Sequence, residues 1–121
     1  MFFVLKLDMH VHSNFSADSI TLPQTALKIA KEKGLTLAIT EHNSIASWPV
    51  FKKLSKEMGV NVIYGEEVKV MDNGKCVGEI VGLFLNELIR PALAGEVFDK
   101  IHSQAGLAMV VHPFDIFRHD F

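Results

Sequence analysis

A chain of 121 residues has room for one domain, and 49% hydrophobic with 21% charged side chains is a globular composition that excludes disorder, collagen and a coiled coil. Twelve basic against fourteen acidic side chains leave a formal charge of −2, so the overall balance does not point to a nucleic-acid binder. The single cysteine, Cys76, cannot close an internal disulfide, no apolar run reaches the roughly 18 residues of a membrane span, and residues 1–8 lack the basic start of a signal peptide. A soluble, cytoplasmic α/β or α+β protein is expected.

In chain order, residues 2–11 read as a strand. Residues 21–33 read as a helix, with Thr21 placed to cap it, Pro23 in the first turn and Gly34 past its end. Residues 35–40 form a short buried strand. Residues 47–58 repeat the helical signals: Ser47 as cap, Pro49 in the first turn, Gly59 after the end, and Phe51, Leu54 and Met58 on one face. Strands at 60–70 and 75–85 flank Asp72-Asn73-Gly74, a hairpin signal. Glycine in third place favours a three-residue loop, which sets Glu67 opposite Glu79. A two-residue loop would set Glu67 opposite Ile80 and turn Glu79 away. Leu93, Val97 and Ile101 mark a third helix closed by Gly106, and residues 107–111 are a last buried strand. The order β-α-β-α-β-β-α-β implies a largely parallel sheet with helices packed outside, and functional groups at the carboxyl ends of its strands.

The unusual polar residues gather at those ends. Asp8, His10 and His12 share a strand face because strands repeat every two residues, and two imidazoles about 7 Å apart at their Cα atoms can grip one metal ion. The plainer reading, a solvated strand end, is weakened because three more strand ends repeat the pattern. Asp18 in the following loop reads locally as a turn or capping residue. Of the neighbours Glu41 and His42 only one can aim inward; His42 is taken as the ligand, with Glu41 supporting it or replacing it if the chain bends. Glu66 and Glu67 interrupt an apolar strand, and an inward acid there needs a cation, because an unpaired buried carboxylate is costly. Two carboxylates side by side, as Glu67 and Glu79 would be, call for the same partner or a shared proton. His112, held by Pro113, is a further inward candidate. In the tail, Arg118 can take a phosphate oxygen in a bidentate manner, although a frayed end fits as well. His102 reads as a surface residue, Cys76 has no partner for nucleophilic chemistry, and no Gly-rich phosphate loop is present.

Five marks in order, Asp8-Met9-His10-Val11-His12, Asp18, Glu41-His42, Gly65-Glu66-Glu67 and His112-Pro113, resemble the polymerase-and-histidinol-phosphatase (PHP) superfamily of metal-dependent phosphoesterases. The resemblance spans nearly the whole chain. It implies a distorted (βα)7 TIM-like barrel with two or three divalent ions, Zn, Mn or Fe, at its carboxyl rim. It suggests His10, His12, Asp18, His42, Glu67 and His112 as ligands, and so reverses the local reading of Asp18. Glu79 stands where the family often has a histidine, and as a harder, negative ligand it favours Mn or Fe over Zn. The second-strand acid, usually Asp, is Glu41. The closing Asp-x-His of the family is missing after His112, and such barrels need about 200 residues or more. Only the N-terminal portion of the domain is therefore expected, in a fragment or a shortened chain completed by association between copies.

The expected function is hydrolysis of a phosphoester by a metal-activated hydroxide, with Arg118 as catalytic support and a small phosphorylated molecule as substrate. Nucleic acid is the less favoured partner, no membrane is expected, and open strand edges make a homo-oligomer an expectation. The alternative is a non-enzymatic metal-binding or interaction module derived from the same domain, motivated by the missing closing ligands.

Overall fold

A computed structural model describes residues 6–111. Its elements follow the expected order: β1 (Lys6–Val11), α1 (Pro23–Lys33), β2 (Leu35–His42), α2 (Trp48–Met58), β3 (Val62–Asp72), β4 (Lys75–Leu83), α3 (Ala94–Ser103) and β5 (Leu107–Val111). The strands lie in sequence order in one sheet that curls into half a barrel. β1, β2 and β3 are parallel, because a helix carries the chain back between them; β4 is antiparallel to both β3 and β5. β5 therefore runs in the direction of β1 to β3.

All three helices cover one face. Leu27 and Ala30 of α1, Phe51 of α2, and Val97 and Ile101 of α3 are buried there against Leu37, Ile39, Val68 and Ile80 of the sheet. The other, inner face carries a smaller cluster of strand residues, Ala38, Val81 and Leu83, flanked by Met9, Ile63, Met109 and Val111. Gly34 and Gly59 end α1 and α2 in the left-handed region, at φ 64° and 69°. The start of α1 differs from expectation. Leu22, not Thr21, is the cap residue and makes no side-chain bond, which Pro23 tolerates because it has no N–H to satisfy. Ser47 does precede α2, but its hydroxyl does not cap the helix.

Two irregularities decide which side chains face inward. The hairpin loop is the two-residue Asn73-Gly74, not the three-residue form: Asp72 pairs with Lys75, and both loop residues have positive φ, 51° and 74°. Asn-Gly is the pair that suits this turn. The extra residue sits instead within β4, where the register slips between Val70 and Met71 and leaves Val77 unmatched. Glu67 thus opposes Val81 and Glu79 opposes Lys69, so the two carboxylates share the inner face on a diagonal. In β1 a second slip sets four residues, Asp8 to Val11, against three of β2, Leu37 to Ile39. Asp8 pairs with the helix-facing Leu37, while Met9 packs with the inner cluster. Asp8 therefore does not share the face of His10 and His12.

Candidate metal centre

Glu67 is the centre of the inner-face site. It lies mid-strand in β3, level with His42 at the end of β2, rather than at a strand end. Its Oε2 is 2.8 Å from His10 Nε2, 2.9 Å from His12 Nε2 and 3.6 Å from His42 Nδ1. The Nε2 atoms of His10 and His12 are 3.0 Å apart, and the rings of His12 and His42 stack at 4.4 Å. His42 turns its other nitrogen to Asp18 Oδ2 at 2.8 Å, and its Nδ1 lies 4.0 Å from Glu79 Oε2. The result is three overlapping groups, each with ligand atoms within 4.8 Å of one another: His10, His12 and Glu67; His12, Asp18 and His42; His42, Glu67 and Glu79. Glu67 and Glu79 are buried, the histidines are half-buried and Asp18 is exposed. Six of the seven expected ligands are thus brought together. The seventh, His112, and the expected Arg118 lie outside the described residues, as does Pro113.

Alternation along the strands sorts the acids. Glu41 pairs with Glu66 and His42 with Glu67, so the first pair faces the helices and the second faces the site. Glu41 is fully buried and accepts the backbone N–H of Ser13 (2.8 Å) and the hydroxyls of Ser13 and Ser16 (2.7 Å for Ser16). The carboxylate takes the one proton of the Ser16 hydroxyl, and Ser16 also receives the N–H of His42 at 3.1 Å. His12 Nδ1, 3.3 Å from Ser16 Oγ, must then be the donor in that contact. With Nδ1 so engaged, Nε2 is the nitrogen turned to Glu67, where it carries the proton of the hydrogen bond to that carboxylate and would give it up to a metal ion. Glu41 thus supports the site, as its position beside His42 suggests, but through serines that sequence reasoning passed over. The signal available was the pair of serines, Ser13 and Ser16, in the loop that follows His12.

Two backbone features hold the arrangement. Asn43, in the left-handed region at φ 49°, donates its N–H to Glu67 O at 3.0 Å and accepts the N–H of Lys69 at 2.9 Å, clamping the end of β2 to β3 around Glu67. Gly65 lies two residues below Glu67, where a Cβ would come within 2.3 Å of the Gly82 carbonyl oxygen.

Charge balance follows from these contacts. Burial disfavours the Glu67 carboxylate, but the His10 and His12 hydrogen bonds outweigh it and hold the group well below the usual carboxylate range. Burial likewise opposes ionisation of Asp18, and His42 reverses it, lowering the pKa. For His12 burial favours the neutral ring, but Glu67 prevails and raises the pKa. Glu66, on the helix side, has only the Ile89 N–H at 2.8 Å to offset burial, which pushes it up to about 7. Three imidazoles and three carboxylates converging in this way form a mixed nitrogen and oxygen donor set suited to first-row divalent metals. Cationic charge is what the cluster calls for, since two of its acids, Glu67 and Glu79, are buried.

The family profile described as PHP domain matches residues 8–112, so the chain belongs to the PHP domain family. It is 41% identical to the protein MJ1587 of Methanocaldococcus jannaschii over 91% of this chain and 68% of that protein. It is 34% identical to the phosphoribosyl 1,2-cyclic phosphate 1,2-diphosphodiesterase of Eggerthella lenta, over 81% of this chain and 38% of that enzyme. The fold matches a two-domain protein of Bacteroides vulgatus that contains a predicted PHP-like metal-dependent phosphoesterase. The TM-score is 0.69 at 21% identity, over 86% of this chain and 34% of the other. The chain therefore spans from about a third to two thirds of the proteins it resembles, and its half-barrel corresponds to part of the larger fold. No helix among the described residues is long and apolar enough to cross a membrane.

Proposed function

We propose that this chain hydrolyses phosphoesters, using two or three divalent ions held by His10, His12, Asp18, His42, Glu67, Glu79 and His112. The observation that carries this reading is the sharing of Glu67: one carboxylate belongs both to the His10 and His12 group and to the His42 and Glu79 group. Such sharing suits neighbouring ions. Ions bound there would supply Lewis-acid charge to the phosphate oxygens and lower the pKa of a water molecule.

The residues themselves bind and orient. His10 and His12 present their Nε2 atoms together, and Ser16 fixes the His12 tautomer. Asp18, on the exposed side, closes over His42. Glu79 adds negative charge, which favours Mn or Fe over Zn. Arg118 would contribute a forked pair of N–H groups to a phosphate oxygen. The E. lenta relative acts on a cyclic sugar phosphate, which supports a small phosphorylated substrate for this chain, and the formal charge of −2 disfavours nucleic acid. Among the described residues β1 and β5 edge the sheet, which suits completion of the barrel by a second copy or by further strands.

The test is hydrolysis of simple phosphomonoesters and phosphodiesters by protein loaded with Mn. Replacing both His10 and His12 with Ala should reduce activity to background while leaving the fold intact by circular dichroism. Wild-type protein that binds the metal and hydrolyses nothing would establish instead the non-enzymatic module.

A further inference from the structure

The inner face of the described sheet carries one basic side chain other than histidine. Tracing the registers with both slips included, the inward positions run through Leu7 and Met9; Thr36, Ala38, Thr40 and His42; Ile63, Gly65, Glu67, Lys69 and Met71; Cys76, Glu79, Val81 and Leu83; and Leu107, Met109 and Val111. Lys6 and Lys75 fall on the opposite face, paired with Leu35 and Asp72. Lys69 is therefore the only lysine or arginine among them. It lies two residues beyond Glu67 along β3 and directly across from Glu79.

Three features make that position notable. β2 ends at His42, level with Glu67, so Lys69 sits on the part of β3 that continues past the end of β2 and past Glu67. Its backbone is fixed, because its N–H is held at 2.9 Å by Asn43 Oδ1, the residue that also clamps Glu67. Its ammonium forms no ion pair within 4.0 Å among the described residues, despite facing Glu79 and being half-buried. A half-buried cation, one strand step above a set of acids but not neutralised by them, is placed for an anion bound over the cluster.

We propose that Lys69 is a substrate-binding residue that holds a non-bridging phosphate oxygen on the side away from His10 and His12. The inference rests on the phosphoesterase reading and adds a residue to it. A point-like, mobile ammonium on a long stem suits a phosphate whose distance from the cluster changes as the ester bond breaks, and it adds charge where dianionic monoesters need more of it than monoanionic diesters.

The test uses Lys69→Met, which keeps the stem and removes the charge, and Lys69→Arg, which restores charge. Binding of inorganic phosphate to Mn-loaded protein is measured by calorimetry, alongside metal content and KM for a phosphomonoester and a phosphodiester. The expected result is phosphate binding about ten- to a hundredfold weaker in Lys69→Met. KM should rise more for the monoester than for the diester, metal content should be unchanged, and Lys69→Arg should recover much of the loss. Phosphate binding equal in wild type and Lys69→Met would overturn the role of Lys69 and leave the phosphoesterase reading standing. Wild-type protein that takes up Mn but binds no phosphate would overturn both.

Discussion

At the scale of single residues, the site depends on groups that do not touch its centre. Ser16 passes the demand of Glu41 on to His12: because the hydroxyl proton goes to the carboxylate, the imidazole donates from Nδ1 and turns Nε2 to Glu67. Ser16→Ala removes that constraint while Glu41 keeps both Ser13 bonds. Stability should fall by only about 1 kcal/mol, whereas metal affinity should drop about tenfold or more; a metal titration followed by a thermal melt separates the two. Glu66 makes the opposite case, a buried acid facing away from the site. Its folded value of about 7 exceeds the ordinary 4.5, so the folded state holds a proton that the unfolded state releases between those values. Its contribution is fully present below about pH 4.5 and is lost as pH rises through 7, up to roughly 3 kcal/mol. Glu66→Gln should flatten that loss in metal-free protein, measured as the difference in unfolding free energy between pH 5 and pH 8.

At the scale of elements, register does the positioning. Helix limits and strand order were legible because Pro and Gly punctuate the chain and apolar residues mark each face. The hairpin was legible only in part. Asn73-Gly74 forms the tighter turn, and the bulge in β4 then restores the parity that a two-residue loop alone would break. Glu67 and Glu79 end on one face by a route that loop length cannot reveal, since a bulge depends on cross-strand packing. The slip in β1 hid Asp8 for the same reason. Gly65 shows how narrow the tolerance is. A methyl there would lie 2.3 Å from a backbone oxygen of β4 and 3.2 Å from side-chain atoms of Leu83 and Thr40. Side-chain rotation cannot relieve a clash with the main chain. Gly65→Ala should therefore destabilise the protein by about 1–3 kcal/mol in denaturant unfolding and loosen the strand that carries Glu67.

At the scale of the molecule, a half-barrel gathers candidate ligands that are up to 69 positions apart in the chain, from His10 to Glu79, onto one concave face. The residue types and their order made the family legible in the sequence. The sharing of Glu67, the inward direction of Lys69 and the serine support of Glu41 were not legible, because each depends on pairing between strands. The central claim is that this face holds a cluster of metals and not a web of histidine–carboxylate ion pairs. The most direct measurement is metal content per chain, by elemental analysis of wild-type and Glu67→Gln protein purified without added metal. The account predicts two or three equivalents of Mn, Fe or Zn in the wild type and at least one fewer when the shared carboxylate is neutralised. One equivalent or none in the wild type, or equal content in both proteins, would contradict it.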